Sequence, residues 1–163
     1  MRFHAEHHFD GSVRSVLNIL CDPDFYLSLD LPDLSRPEVL EQREDADQLM
    51  LRLRYEFVGS IDPIARRLLG SSRLAWIQEI RVDRPAGSGA LGFEAEKNPR
   101  QLHGAADFAL TPDGAGTVRT IDGELVVSVP GIGHMAERRI VPGLVRRLDI
   151  EAQALNDKLL AGE

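Results

Sequence analysis

Hydrophobic and polar residues alternate along much of the chain in a way that predicts its elements one by one. Phe3, Ala5, His7 and Phe9 interleave with Arg2, His4, Glu6 and His8. That is the period of two that turns one face of a strand inward and leaves the other in water. Asp10-Gly11-Ser12 breaks the alternation, and Ser12 is placed to cap a short helix whose buried face is Val13, Val16, Leu17 and Leu20. Asp22-Pro23 ends that helix and opens another turn or two, with Phe25, Tyr26 and Leu29 inward. The segment from Leu31 to Pro37, with two prolines, reads as a loop.

A meander of strands follows. Pro37 to Arg43 is a weak strand, Asp45-Ala46-Asp47 a turn, and Leu49, Leu51, Leu53, Tyr55 and Phe57 then alternate cleanly with polar neighbours. Asp62-Pro63 opens a short helix through Leu69, stopped by Gly70. Leu74, Trp76, Gln78, Ile80 and Val82 share a face of the next strand, and a turn from Ala86 to Gly89 leads to Leu91, Phe93 and Ala95. Asn98-Pro99 turns again, Leu102 to Leu110 is a strand with Phe108 inward, and Thr111-Pro112-Asp113-Gly114 carries a turn signal. The last strand runs from Thr117 to Val129 with Ile121, Leu125, Val127 and Val129 on one face.

From Pro130 to Leu160 the period changes to that of a long amphipathic helix. Val141, Leu144, Val145, Leu148, Ala152, Leu155 and Leu159 recur at three- and four-residue steps. Arg146, Arg147, Asp149, Glu151, Asp157 and Lys158 fall mostly off that stripe and are expected in water. Such a helix must lay its apolar face on the strand-rich body before it, so the pattern predicts an α+β protein, an antiparallel sheet wrapped round a terminal helix. Pro142 is expected to kink the helix.

Composition narrows the function classes. With 163 residues and no linker or repeat, a single domain spanning 1–163 is expected. Nineteen basic against 26 acidic residues give a net charge of −7, which opposes nucleic-acid and anionic-membrane partners. No apolar run approaches the roughly 18 residues that cross a bilayer, and MRFHAEHHF lacks a signal-peptide layout, so a cytoplasmic location is expected. The lone Cys21 excludes an internal disulfide and a multi-cysteine metal site. His4 and His8 share a strand face that His7 does not, so the three cannot converge on a metal. Gly87-Ser88-Gly89 and Gly114-Ala115-Gly116 sit in hairpins and form no phosphate cradle, and no nucleophile elbow is present. No metal and no cofactor are expected.

Several segments carry a resemblance to a known family. They are Phe9-Asp10-Gly11-Ser12, Cys21-Asp22-Pro23-Asp24-Phe25-Tyr26, the inserted Pro63 to Gly70 helix, and Thr117 through Val129-Pro130-Gly131 leading into the last helix. Over essentially its whole length the chain resembles the START-like (SRPBCC) superfamily of helix-grip folds. That superfamily includes lipid-transfer domains, the birch-pollen allergens and the polyketide cyclases, and the chain is similar to an uncharacterised bacterial branch of unknown function. The resemblance implies a seven-stranded curved antiparallel sheet round the C-terminal helix, two short helices after the first strand and one after the third. It also implies a cavity between sheet and helix that takes a small apolar molecule.

The expected lining combines apolar residues with polar ones that the pattern turns inward. Leu51, Leu53, Phe57, Trp76, Ile80, Phe93, Phe108, Ile121 and Leu125 supply the first set. Tyr55, Gln78, Arg119 and His7 from the strands, and His134, Glu137 and Arg138 beside Val141 on the helix, supply the second. A polar group buried without a partner costs about 1–3 kcal/mol, so each of these either meets a ligand or is satisfied within the protein. Three functions fit: a binder of a lipid, isoprenoid or polyketide-like compound; a cyclase or dehydratase in which His134, Glu137, Tyr55 or His7 moves a proton; or an interaction module with a filled interior and an apolar patch near Leu29, Leu31 and Leu34.

Overall fold

The cleanest alternation in the sequence becomes the cleanest burial pattern in the structure. In a computed structural model that describes residues 1–60, 62–63, 66–67 and 73–162, Leu49, Leu51, Leu53 and Tyr55 are buried while the residues between them are not. They belong to β3 (Gln48–Glu56), one of seven strands in a single antiparallel sheet. The others are β1 (Arg2–Phe9), β2 (Glu38–Glu44), β4 (Ala75–Asp83), β5 (Ser88–Ala95), β6 (Leu102–Asp113) and β7 (Gly116–Val127). The spatial order β1-β7-β6-β5-β4-β3-β2 is a meander closed by β1 on its last strand. Two short helices, α1 (Val13–Leu20) and α2 (Pro23–Ser28), follow β1, and a long helix, α3 (Gly133–Leu160), ends the fold. This is the helix-grip arrangement, and the expected helix from Pro63 to Leu69 falls on a segment lying largely outside the described residues.

Local chemistry explains the junctions. Ser12 caps α1 by accepting from the Ser15 N–H at 3.1 Å, and Asp22 caps α2 by accepting from Asp24 N–H at 3.0 Å, with Pro23 in the first turn. Tyr26, fully buried, donates its hydroxyl to the Leu20 carbonyl at 2.7 Å and so locks the two helices together. The β6–β7 turn is tighter than the sequence suggests. β6 runs on through Pro112, which pairs with Thr117, and the chain reverses over Gly114-Ala115 with Gly114 at φ 59°. Pro112 is tolerated because β5 pairs with β6 only as far as Ala109, so no partner there needs its missing N–H.

α3 begins at Gly133, three residues later than the sequence pattern suggests, and runs unbroken through Pro142. Val141, Leu148, Ala152 and Leu155 are its buried stripe. Arg147 and Glu151, expected in water, are also buried, at 8% and 5% exposure. The helix packs chiefly on β1 and β7, with α1 behind it. It therefore lies over the β1–β7 end of the sheet. The far edge, β2, is almost wholly exposed and rich in charge (Glu38, Glu41, Arg43, Glu44), which discourages pairing with another strand.

Candidate functional site

Ile140, Gly143, Arg147 and Ile150 lie on α3 at rotations of roughly 80–160° from Leu148, given 3.6 residues per turn. They face a cavity of about 480 Å³, within the ~300–1,000 Å³ of typical small-molecule sites. Trp76, Phe93, Leu125 and Val127 line it from the sheet. Leu31 and Leu34 of the loop after α2 line it as well, with Phe57 and Leu74 beyond β3 and before β4. A bridge between Leu34 and Phe57 ties that loop to the end of β3. Leu29, Leu31 and Leu34 thus form no exposed patch: Leu31 is buried, Leu29 and Leu34 half-buried, and the interior is open rather than filled.

Arg147 is the one charged side chain in the lining, among the described residues, that is buried. Its guanidinium carbon lies 4.7 Å from the centroid of the Tyr55 ring and 5.9 Å from those of Trp76 and Phe93. Tyr55 and Trp76 are themselves stacked, with centroids 5.8 Å apart and planes inclined by 17°. Cation–π attraction of this kind is worth about 2 kcal/mol when desolvated. Tyr55 lies behind Arg147 rather than on the cavity wall, and burial pushes its hydroxyl up to about 12 against the opposing pull of Arg147. Arg147 has no hydrogen-bond or ion-pair partner among the described residues. Arg73, Lys97, Arg139 and Arg146 also line the cavity, against Asp33 and Asp62. Arg139 and Asp62 approach to 3.4 Å, and Arg73 reaches Glu56 at 3.0 Å.

A second polar cluster lies in the core away from the cavity. Arg119 donates to the Glu151 carboxylate at 2.9 Å, both at single-digit exposure, and sits 5.5 Å from the Phe9 ring centroid. It also donates to Nδ1 of His7, at 3.1 Å from Nη2. Because arginine only donates, Nδ1 must accept, which leaves the ring proton on Nε2 for donation to Asp149 at 2.9 Å. His7 is held neutral: burial lowers its pKa most, the Arg119 charge lowers it further, and Asp149 and Glu151 oppose them. The chain Glu151–Arg119–His7–Asp149 staples α3 to β7 and β1.

The residues expected at a site therefore divide. Trp76 and Phe93 line the cavity. Phe108, Ile121 and Val141 are buried in the core, and Arg119, which the strand pattern turns inward, is 3% exposed in the cluster just described. Gln78 is buried one inward position from Trp76, and its side-chain oxygen has no partner. Glu137 is spent on the backbone: it accepts from Val127 N–H at 3.2 Å and from the Met1 ammonium at 3.3 Å, contacts that hold its carboxyl below the usual range. His134 and Arg138 do not face inward. His134 sits in the first turn of α3 with its side chain 94% exposed, reaching only the Glu137 carboxylate, and Arg138 is exposed.

Sequence reasoning missed Arg147, Gly143 and the loop leucines. A signal existed: Ile140, Leu144, Arg147 and Glu151 repeat at four-, three- and four-residue steps, a second helical stripe beside the leucine one. A cysteine site and a metal site gain no support, since Cys21 is buried and no cluster of metal-ligating side chains occurs among the described residues.

Residues 4–159 match the family described as "Protein of unknown function (DUF2505)". The chain belongs to the DUF2505 family. Many solved structures share its fold, among them the following three. TTHA0849 from Thermus thermophilus is 16% identical at a TM-score of 0.70, covering 100% of this chain and 99% of that one. The Zhui aromatase/cyclase from Streptomyces sp. R1128 is 15% identical at 0.62, covering 97% and 93%. A START superfamily protein from Mycobacterium smegmatis is 14% identical at 0.60, covering 99% of each. No match was found among curated proteins. This DUF2505 protein thus has the helix-grip fold of those structures, and among its described residues no helix is long and apolar enough to cross a membrane.

Proposed function

We propose that this DUF2505 protein binds a small hydrophobic molecule, of lipid, isoprenoid or polyketide-like character, in the cavity between β4–β7 and α3. The observation that carries this reading is the cavity of about 480 Å³ walled by Leu31, Leu34, Phe57, Trp76, Phe93 and Ile140. Apolar walls leave water there with few partners, so an apolar ligand that displaces it gains free energy of about 25 cal/mol per Å² buried. Binding is favoured over cyclase-type catalysis because no His, Cys, Tyr or Glu lines the cavity among the described residues. The side chains best suited to move a proton are committed elsewhere: His7 to Arg119 and Asp149, Glu137 to Val127 and Met1. Native mass spectrometry of freshly purified protein tests the reading. A stoichiometric apolar passenger, identified after denaturation, is expected. A bare mass, with no thermal shift across a panel of lipids and polyketides, would count against it.

A further inference from the structure

Arg147 is a full positive charge kept 8% exposed, and it has no charged partner among the described residues. Glu151, one turn along α3, is bound to Arg119. Three aromatic rings lie 4.7–5.9 Å from the guanidinium carbon. None of these ring contacts is a hydrogen bond of the guanidinium, and its N–H donors have no acceptor among the described residues. Ring quadrupoles hold a cation in place but do not replace the hydration it loses on burial. The same guanidinium forms part of the cavity wall. Around it the described lining carries four more Arg or Lys side chains against two Asp, with Arg139 paired to Asp62 and Arg73 to Glu56, in a protein whose net charge is −7. Low-dielectric walls concentrate such a field inside the cavity.

We infer that the ligand is an apolar acid whose carboxylate seats on Arg147 while its hydrocarbon body fills the cavity. The inference rests on the cavity being the ligand site. An edge-on carboxylate takes two parallel N–H···O bonds from a guanidinium, the strongest pairing open to it, and supplies the countercharge the fold withholds. A neutral carbonyl or hydroxyl would accept a hydrogen bond but leave the charge uncompensated. The aromatic cage fixes Arg147 in advance, so little side-chain freedom is lost when the acid arrives.

Matched probes test this by isothermal titration: dodecanoate against dodecanol, and 2-naphthoate against its methyl ester. The wild-type protein is expected to favour the acid of at least one pair by about tenfold or more, the scale of a hydrogen-bonded charge. Arg147→Met is expected to abolish that preference while still binding the neutral partner, and Arg147→Lys to keep part of it. Thermal melting of each variant establishes that it is folded. Should Arg147→Met fail to fold, the wild-type preference and its reduction in Arg147→Lys decide the matter. Neutral and acidic probes binding equally to the wild type would overturn the acid assignment and leave the cavity reading standing. An acid preference that survives Arg147→Met would also overturn the assignment. Failure of all four probes to bind would overturn the cavity reading, and the acid assignment with it.

Discussion

Two buried arginines sit over aromatic rings in this fold and differ in what else they touch. Arg119 has the Glu151 carboxylate at 2.9 Å and the His7 ring at 3.1 Å, whereas Arg147 has rings alone. Replacing Arg119 by Met strips a buried carboxylate of its countercharge, so Arg119→Met should lose about 3–5 kcal/mol of stability in urea unfolding. A loss below about 1 kcal/mol would mean the pair is not buried as described. The neighbouring histidine adds a pH dependence whose sign follows from linkage. The folded-state pKa of His7 lies below its ordinary value of 6.5. Above pH 6.5 both states are neutral at this site and its contribution is complete. As pH falls through 6.5 the unfolded chain takes up the proton first, so stability declines until the lowered folded pKa is reached. The urea midpoint should fall between about pH 7.5 and about pH 5.5, and His7→Gln should flatten that slope. An unchanged slope would remove His7 from the account. Arg147 could not be read as a buried residue in the sequence, because a charged residue beside a leucine stripe is solvated by default, and only the position of Tyr55 in space reverses that assignment. The strand pattern turned Arg119 inward, but its partners Glu151 and Phe9 were not legible.

At the scale of elements, strands were legible wherever one face is buried and the other wet. β1, β3 and β7 carry that alternation in their residues, and the structure repeats it along each strand. β2 was weak in the sequence because it is exposed on nearly every side chain, leaving little pattern to read. The β6–β7 turn was displaced because Pro112 is a turn residue by habit and a strand residue here, beyond the reach of β5. The helix is the instructive element. Gly143, mid-helix, exposed and next to Pro142, lines the cavity and would meet nothing within 4 Å if it carried a Cβ. Glycine inside a helix costs about 1 kcal/mol relative to alanine. Gly143→Ala should therefore raise stability by about 1 kcal/mol in urea unfolding. A destabilised variant would show that the helix is pressed against something there.

For the whole molecule, the decisive fact is where the helix lies. α3 packs on β1 and β7, and a cavity remains between it and one end of β4–β7, with Arg147 on its wall. The order of elements was legible and led to the helix-grip fold. The cavity was not legible, because Phe57, Trp76, Phe93 and Leu125 are the same residue types that fill a core. Whether they touch depends on a separation that no periodicity encodes. His134 and Arg138 looked like site residues for the complementary reason: polarity at the start of an apolar stripe marks a helix end reaching solvent as readily as it marks a pocket. The most direct test of the cavity as a binding site is a titration of the neutral dye Nile red into wild-type protein and into Gly143→Phe, whose ring would occupy the space that opens beside residue 143. Saturable one-to-one binding to the wild type, lost in a variant that melts no lower, is the predicted result. Equal binding to both, or none to the wild type, would contradict it.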